Sequence, residues 1–210
     1  MYNFTIPMAL VDYIPVFFFG VTMVLLQRDL YNKMFKGAYA LFAAGTINVF
    51  MAGFLKATWK LLYAANICDF VALEEMFMPV NSIGLLLVGL SLIGMLCYKQ
   101  KDAVMLSAAP AVFSGSFVFI MMMVVGLGGM CAVLSILAAR MKKKGAIALF
   151  VLSFICAMGM GYMSSQDSSL AWVNWVEQSI NTVSQMCLMI GTIVLHKAGL
   201  AAYRFEEAKV

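Results

Sequence analysis

Long uncharged runs recur along this chain, and they constrain its fold more than any other feature. From Gly37 to Leu55 there is no charged residue, and from Ala103 to Ala139 there is none. A hydrocarbon core of about 30 Å is crossed by about 20 apolar residues in a helix. Inside that core a polar backbone must be bonded within the protein, as a helix achieves within one segment. The runs are long enough for this, so the reading is an all-α polytopic membrane protein. At 64% hydrophobic and 11% charged residues, the composition excludes an ordinary soluble domain.

Charge divides the apolar sequence into seven expected spans in a single transmembrane domain, residues 1–210. Span 1 is read at Met8–Leu26, with Pro15 as a kink. Span 2 is Lys36–Tyr63, span 3 Met76–Tyr98, span 6 Ala146–Met163 and span 7 Ala171–Leu195. The run from Ala103 to Ala139 is too long for one ordinary span and is divided into spans 4 and 5. The turn between them is placed at Ser114-Gly115-Ser116 or at Gly126-Leu127-Gly128-Gly129. With the N-terminus outside and the C-terminus inside, every basic residue except Lys56 and Lys60 falls on the inner side. The same arrangement makes the outer side acidic, through Asp12, Asp69, Glu74, Glu75, Asp167 and Glu177. This places the protein in a cell membrane, plasma or inner, with the lipid bilayer as its first partner. The basic residues lie scattered in short loops, so nucleic acid is not expected as a partner.

Lys36-Gly37-Ala38 and Ala40-Leu41-Phe42 recur as Lys144-Gly145-Ala146 and Ala148-Leu149-Phe150. The same offset relates Gly53-Phe54 to Gly161-Tyr162. The expectation is a three-plus-one-plus-three plan of parallel repeats, with halves 8–98 and 123–195 and a linker helix 103–121. In plan alone this is similar to the sugar-transporting SWEET proteins. The chain has no Pro-Gln dipeptide, and membership of that family is not implied.

Polar residues at membrane depth are the candidate site. In span 7, Asn174, Gln178, Asn181 and Gln185 fall at i, i+4, i+7 and i+11, on one helix face bordered by Glu177. In span 2, Gly45, Asn48, Ala52, Lys56 and Trp59 share a face. Two readings apply to such amides: glue between helices, or one wall of a solute pocket. The pocket is expected between spans 2, 3 and 7, with Lys56 paired to Glu177 or to Glu75. Its occupant is a small polar or cationic solute, and the expected role is a transporter or permeation protein. The alternatives are a ligand-sensing or assembly subunit, as a homo-oligomer or in a membrane complex, and, more weakly, a lipid-modifying enzyme using Glu75 and Glu177.

No catalytic residues, metal ligands or cofactors are expected. The single histidine, His196, cannot supply the ligand set of a ceramidase-type zinc hydrolase, and it is read as a complement to a helix C-terminus. Lys197 lies beyond the end of span 7, where a retinal-binding lysine would need to be central. Glu74-Glu75 lacks the arginine and histidine motifs that accompany paired glutamates in CAAX proteases. The methionine clusters Met121–Met123 and Met158, Met160 and Met163 are read as flexible packing rather than as soft-metal ligands. The cysteines are isolated, and no disulfide is expected.

Overall fold

The computed structural model describes residues 4–97, 116–163 and 171–203. All of its regular elements are helical, and six of its helical stretches are long and apolar enough to cross a membrane. This architecture is compatible with a multi-pass membrane protein. In order the helices are α1 (Ile6–Val11), α2 (Tyr13–Leu30), α3 (Lys36–Ala64), α4 (Ala72–Glu75), α5 (Phe77–Cys97), α6 (Ser116–Arg140), α7 (Lys144–Met163) and α8 (Ala171–Lys197). A short 3-10 turn, Leu200–Ala202, ends the described chain and buries Leu200.

α1 and α2 form one span, broken at Asp12. The cause lies at Pro15, which has no N–H to offer the Val11 carbonyl and whose ring crowds it. The break therefore falls one turn before the proline that span 1 was expected to kink at. Helix ends carry their own closures. After α3, Asn66 N–H donates to Tyr63 O and Ile67 N–H to Leu62 O. After α6, Lys142 N–H donates to Ala139 O and Lys143 N–H to Ala138 O. Asn66 and Lys142 take the left-handed conformation that this double closure requires.

The long helices pack in a ring. α2 lies on α3, α3 on α5, α5 on α6, α6 on α7, α7 on α8, and α8 returns to α2. Small residues set the closest approaches. A methyl group added at Gly84 would lie 2.9 Å from the Gly45 carbonyl oxygen, so α3 and α5 touch through backbone. At Gly126 it would lie 2.3 Å from the Leu85 carbonyl carbon, and at Gly89 2.5 Å from the Gly126 carbonyl oxygen. Close packing of this kind is how helices associate where lipid removes the hydrophobic drive between them.

The order of these contacts gives direction. Leu85 meets Gly126, while Gly89 and Ile93 meet Gly129, so α5 and α6 run parallel. Asp29 near the end of α2 meets His196 near the end of α8, so these two are parallel as well. The junctions α3/α5 and α7/α8 are antiparallel, as Val49 beside Gly84 and Phe150 beside Gly191 show. Cys97 and Ser116 therefore lie at opposite ends of the bundle.

Two expectations are corrected here. The Gly126-Leu127-Gly128-Gly129 turn does not exist, because α6 runs unbroken from Ser116 to Arg140. Gly126 and Gly129 are used to bring α6 against α5, and a break at that depth would have left carbonyls without partners in hydrocarbon. The boundary at 121/123 between linker helix and second half falls inside this same helix. Ser114 and Gly115 of the alternative turn, and most of the expected span 4, lie outside the described residues, while Ser116 begins α6.

The contact at Gly126 can be tested against Gly94, where an added methyl meets nothing within 4 Å. Gly126→Ala is expected to destabilise the protein by about 1–3 kcal/mol through overpacking. Gly94→Ala is expected to stabilise α5 by about 0.5–1 kcal/mol, through reduced backbone entropy loss. Thermal unfolding of the two variants in detergent measures both.

Candidate functional site

α8 places the amide ladder. Its outward stripe, which includes Trp172, Trp175, Val183, Met186 and Ile190, is exposed. Its opposite side packs on α7, where Ser184 Oγ donates to the Ser153 carbonyl at 2.8 Å and the two hydroxyls lie 3.3 Å apart. Between these surfaces runs the polar face. Asn174 and Gln178 on it are buried, and Asn181 and Gln185 are half-buried.

Four side-chain oxygens on or beside this face are enclosed and have no hydrogen-bond partner among the described residues: Gln178 Oε1, Thr182 Oγ1, Gln185 Oε1 and Thr192 Oγ1. They fall at i, i+4, i+7 and i+14, a single row along the helix. The two threonines matter because hydroxyls in a helix usually bond back to a carbonyl three or four residues earlier. Thr22 does so to Phe18 O, Thr58 to Phe54 O, Ser91 to Leu87 O and Ser179 to Trp175 O. Thr182 and Thr192 do not. An unpartnered buried acceptor costs roughly 1–3 kcal/mol, so this row stores an unmet demand for hydrogen-bond donors. The sequence reading found Gln178 and Gln185 but passed over Thr182 and Thr192. Their spacing from the glutamines was the signal that could have included them.

The other expected site residues are placed differently. Asn48 is half-buried on α3, against Gly84 of α5. α2 stands between α3 and α8 in the ring, so the Asn48 face of α3 serves the α3/α5 contact. Lys56 forms no ion pair among the described residues; its ammonium lies 4.2 Å from the centre of the Phe77 ring. The expected pairs Lys56–Glu177 and Lys56–Glu75 are thus replaced. Glu75 is exposed and Glu177 half-buried. The buried ion pair at this end joins Lys60 to Asp12, with Lys60 Nζ 2.7 Å from Asp12 Oδ2 and both side chains 8% exposed. The break at Asp12 turns that carboxylate towards α3. Around it, Trp59 Nε1 donates to Asp69 Oδ1 at 3.0 Å, and Phe4 packs edge-on against Trp59 and Tyr63.

A second ionic cluster lies at the opposite end of α2. Asp29 is enclosed, with Oδ2 2.7 Å from His196 Nδ1 and Oδ1 3.8 Å from Arg28 Nε. Arg28 Nη2 lies 2.8 Å from His196 Nε2. A guanidinium only donates, so the arrangement has Arg28 donating to His196 Nε2 and His196 Nδ1 donating to Asp29 Oδ2. His196 thus binds a carboxylate rather than the end of its own helix. Lys33 Nζ donates to the Tyr203 carbonyl oxygen. Burial pushes the Lys33 ammonium below lysine's ordinary range, with Asp29 pulling the other way. Asp12 and Asp29 are roughly 26 Å apart along the α1–α2 span at 1.5 Å per residue. The span is therefore tied at both ends, to α3 and to α8.

Among the described residues, no group of three or more His, Cys, Asp or Glu side chains is arranged to hold a metal ion. No protein-family model, curated protein or solved structure matches this chain.

The Asp12–Lys60 pair has a distinctive mutational signature. Asp12→Ala or Lys60→Met alone leaves one buried charge without its partner and is expected to cost about 3–5 kcal/mol. Asp12→Leu combined with Lys60→Met removes both charges and is expected to recover most of that loss. Thermal midpoints of the three variants decide it. Equal losses that add in the double variant would show that the two side chains act independently.

Proposed function

We propose that this chain is a multi-pass membrane transporter or permeation protein for a small polar or cationic solute, and that the solute passes along the polar face of α8. The observation that carries the reading is the row Gln178, Thr182, Gln185 and Thr192, whose buried oxygens have no partner among the described residues. Acceptors in a row at membrane depth match a solute that donates hydrogen bonds, such as an ammonium group or a polyol. Glue between helices would instead have these oxygens bonded to a neighbouring helix, as Ser184 is to Ser153. The end of the molecule that bears Asp69, Glu74 and Glu75 is acidic, which concentrates cations at low ionic strength.

The same reading gives an orientation and a plan. Arg28, Lys33, Lys36, Arg140, Lys142, Lys143 and Lys144 gather at one end, the cytoplasmic end by the positive-inside tendency. The N-terminus is then outside. α1–α5 and α6–α8 form two halves of three spans each, with α3 and α7 both beginning at the lysine of the repeated Lys-Gly-Ala. The parallel junctions α5/α6 and α8/α2 support a parallel repeat, since that is how two such halves meet about an axis along the membrane normal.

Stability and activity separate the two roles of the amides. Gln178→Leu and Gln185→Leu each remove an unpartnered oxygen and are expected to raise stability by about 1 kcal/mol or more. In liposomes the same variants are expected to reduce flux of amine-bearing solutes at least tenfold relative to wild type. Loss of stability in both variants, with flux unchanged, would return these side chains to structural glue. Ligand binding without flux would favour a sensing subunit.

A further inference from the structure

The lipid-facing side of α2 and α3 encloses a groove of about 560 Å³, lined by Phe17, Gly20, Val24, Ile47, Phe50 and Met51 among others. Gly20 opens it: a methyl there would lie 3.0 Å from the Phe50 ring. Towards the inner end the groove floor is closed by a hydrogen bond from Gln27 Nε2 to Thr46 Oγ1, 2.6 Å long. The walls are apolar and the outer rim, Phe17, Val24 and Ile47, is well exposed.

Each helix carries a cation on the same stripe as its groove-lining residues, beyond the groove towards the basic end of the bundle. On α2, Phe17, Val21, Val24 and Arg28 fall at i, i+4, i+7 and i+11, one stripe. On α3, Lys36, Ala40, Ala43 and Ile47 do the same. The Arg28 side chain is 67% exposed although it touches His196, and a guanidinium has N–H donors to spare. Lys36 is exposed. An apolar slot with exposed cations beyond its end, on the same faces of both helices, is complementary to one chemical type, an acyl chain attached to an anionic headgroup. We propose that this groove binds an anionic phospholipid of the inner leaflet, with one acyl chain against Gly20 and Phe50 and the phosphate between Arg28 and Lys36. The site is separate from the polar face of α8.

The test is thermal unfolding of the purified protein in detergent, with added dioleoyl phosphatidylglycerol or dioleoyl phosphatidylcholine as probe. For wild type, phosphatidylglycerol is expected to raise the midpoint by at least about 3 °C more than phosphatidylcholine does. Arg28 also holds His196, so Lys36→Gln is the cleaner probe of the headgroup site; it is expected to remove most of that difference. Val24→Trp, which fills the groove from the lipid side, is expected to abolish stabilisation by either lipid. Equal effects of the two lipids on wild type would overturn the proposal. So would a phosphatidylglycerol preference that survives both Lys36→Gln and Val24→Trp, because the lipid would then bind elsewhere. A native mass spectrum showing a dimer that Val24→Trp dissociates would assign the groove to a second copy of the chain instead.

Discussion

A polar group inside hydrocarbon needs a partner, and that requirement sorts the buried polar side chains of this protein into two sets. One set has partners, and three pairs in it tie two elements. Asp12 with Lys60 joins the α1–α2 break to α3, Asp29 with His196 joins α2 to α8, and Ser184 with Ser153 joins α8 to α7. The other set is the row of oxygens on α8, together with Asp29 Oδ1 beside the His196 pair. The first set fixes where α8 stands, and the row is what α8 presents once it is fixed there. A helix held by its neighbours at its middle and at one end can carry unmet acceptors without being lost from the bundle.

Backbone contact does for α3, α5 and α6 what the ion pairs do for α2. Gly89 and Gly126 let α5 and α6 meet in parallel, and Gly45 and Gly84 let α3 and α5 meet antiparallel. α5 thus uses glycines on two of its faces, one against α3 and one against α6. α7 and α8 meet through Gly191 under the Phe150 ring and through the serine pair. The lipid-facing groove on α2 and α3 lies outside this framework, at the junction where side chains rather than backbones set the spacing.

The spans flanked by charge were legible in the sequence. Lys36–Tyr63 was expected and Lys36–Ala64 is found, because a lysine begins the run and an acidic loop follows it. Gly126 and Gly129 were misread as a turn because a glycine that breaks a helix and a glycine that lets another helix approach look alike without the neighbour. The ion pairs were hidden for a related reason. Depth along the helices correctly placed Asp12, Lys56 and Lys60 near one end, but the choice among partners depends on which way each helix is turned. Asp29 and His196, 167 residues apart, share no local signal at all. The polar face of α8 was legible from its spacing; that its glutamine oxygens stand unpartnered was not, since an amide that glues and an amide that waits have the same sequence.

Access of water to the α8 face is the most direct measurement. In a chain whose native cysteines are replaced by alanine, single cysteines at Gln178, Thr182 and Gln185 are compared with cysteines at Val183, Met186 and Ile190. Each variant, reconstituted in liposomes, is treated with a charged, membrane-impermeant thiosulfonate reagent. The expected result is rapid modification at the first three positions, slowed by a transported solute, and slow modification at the lipid-facing three. Slow modification at all six would show that no aqueous path reaches the α8 face, and would contradict the account.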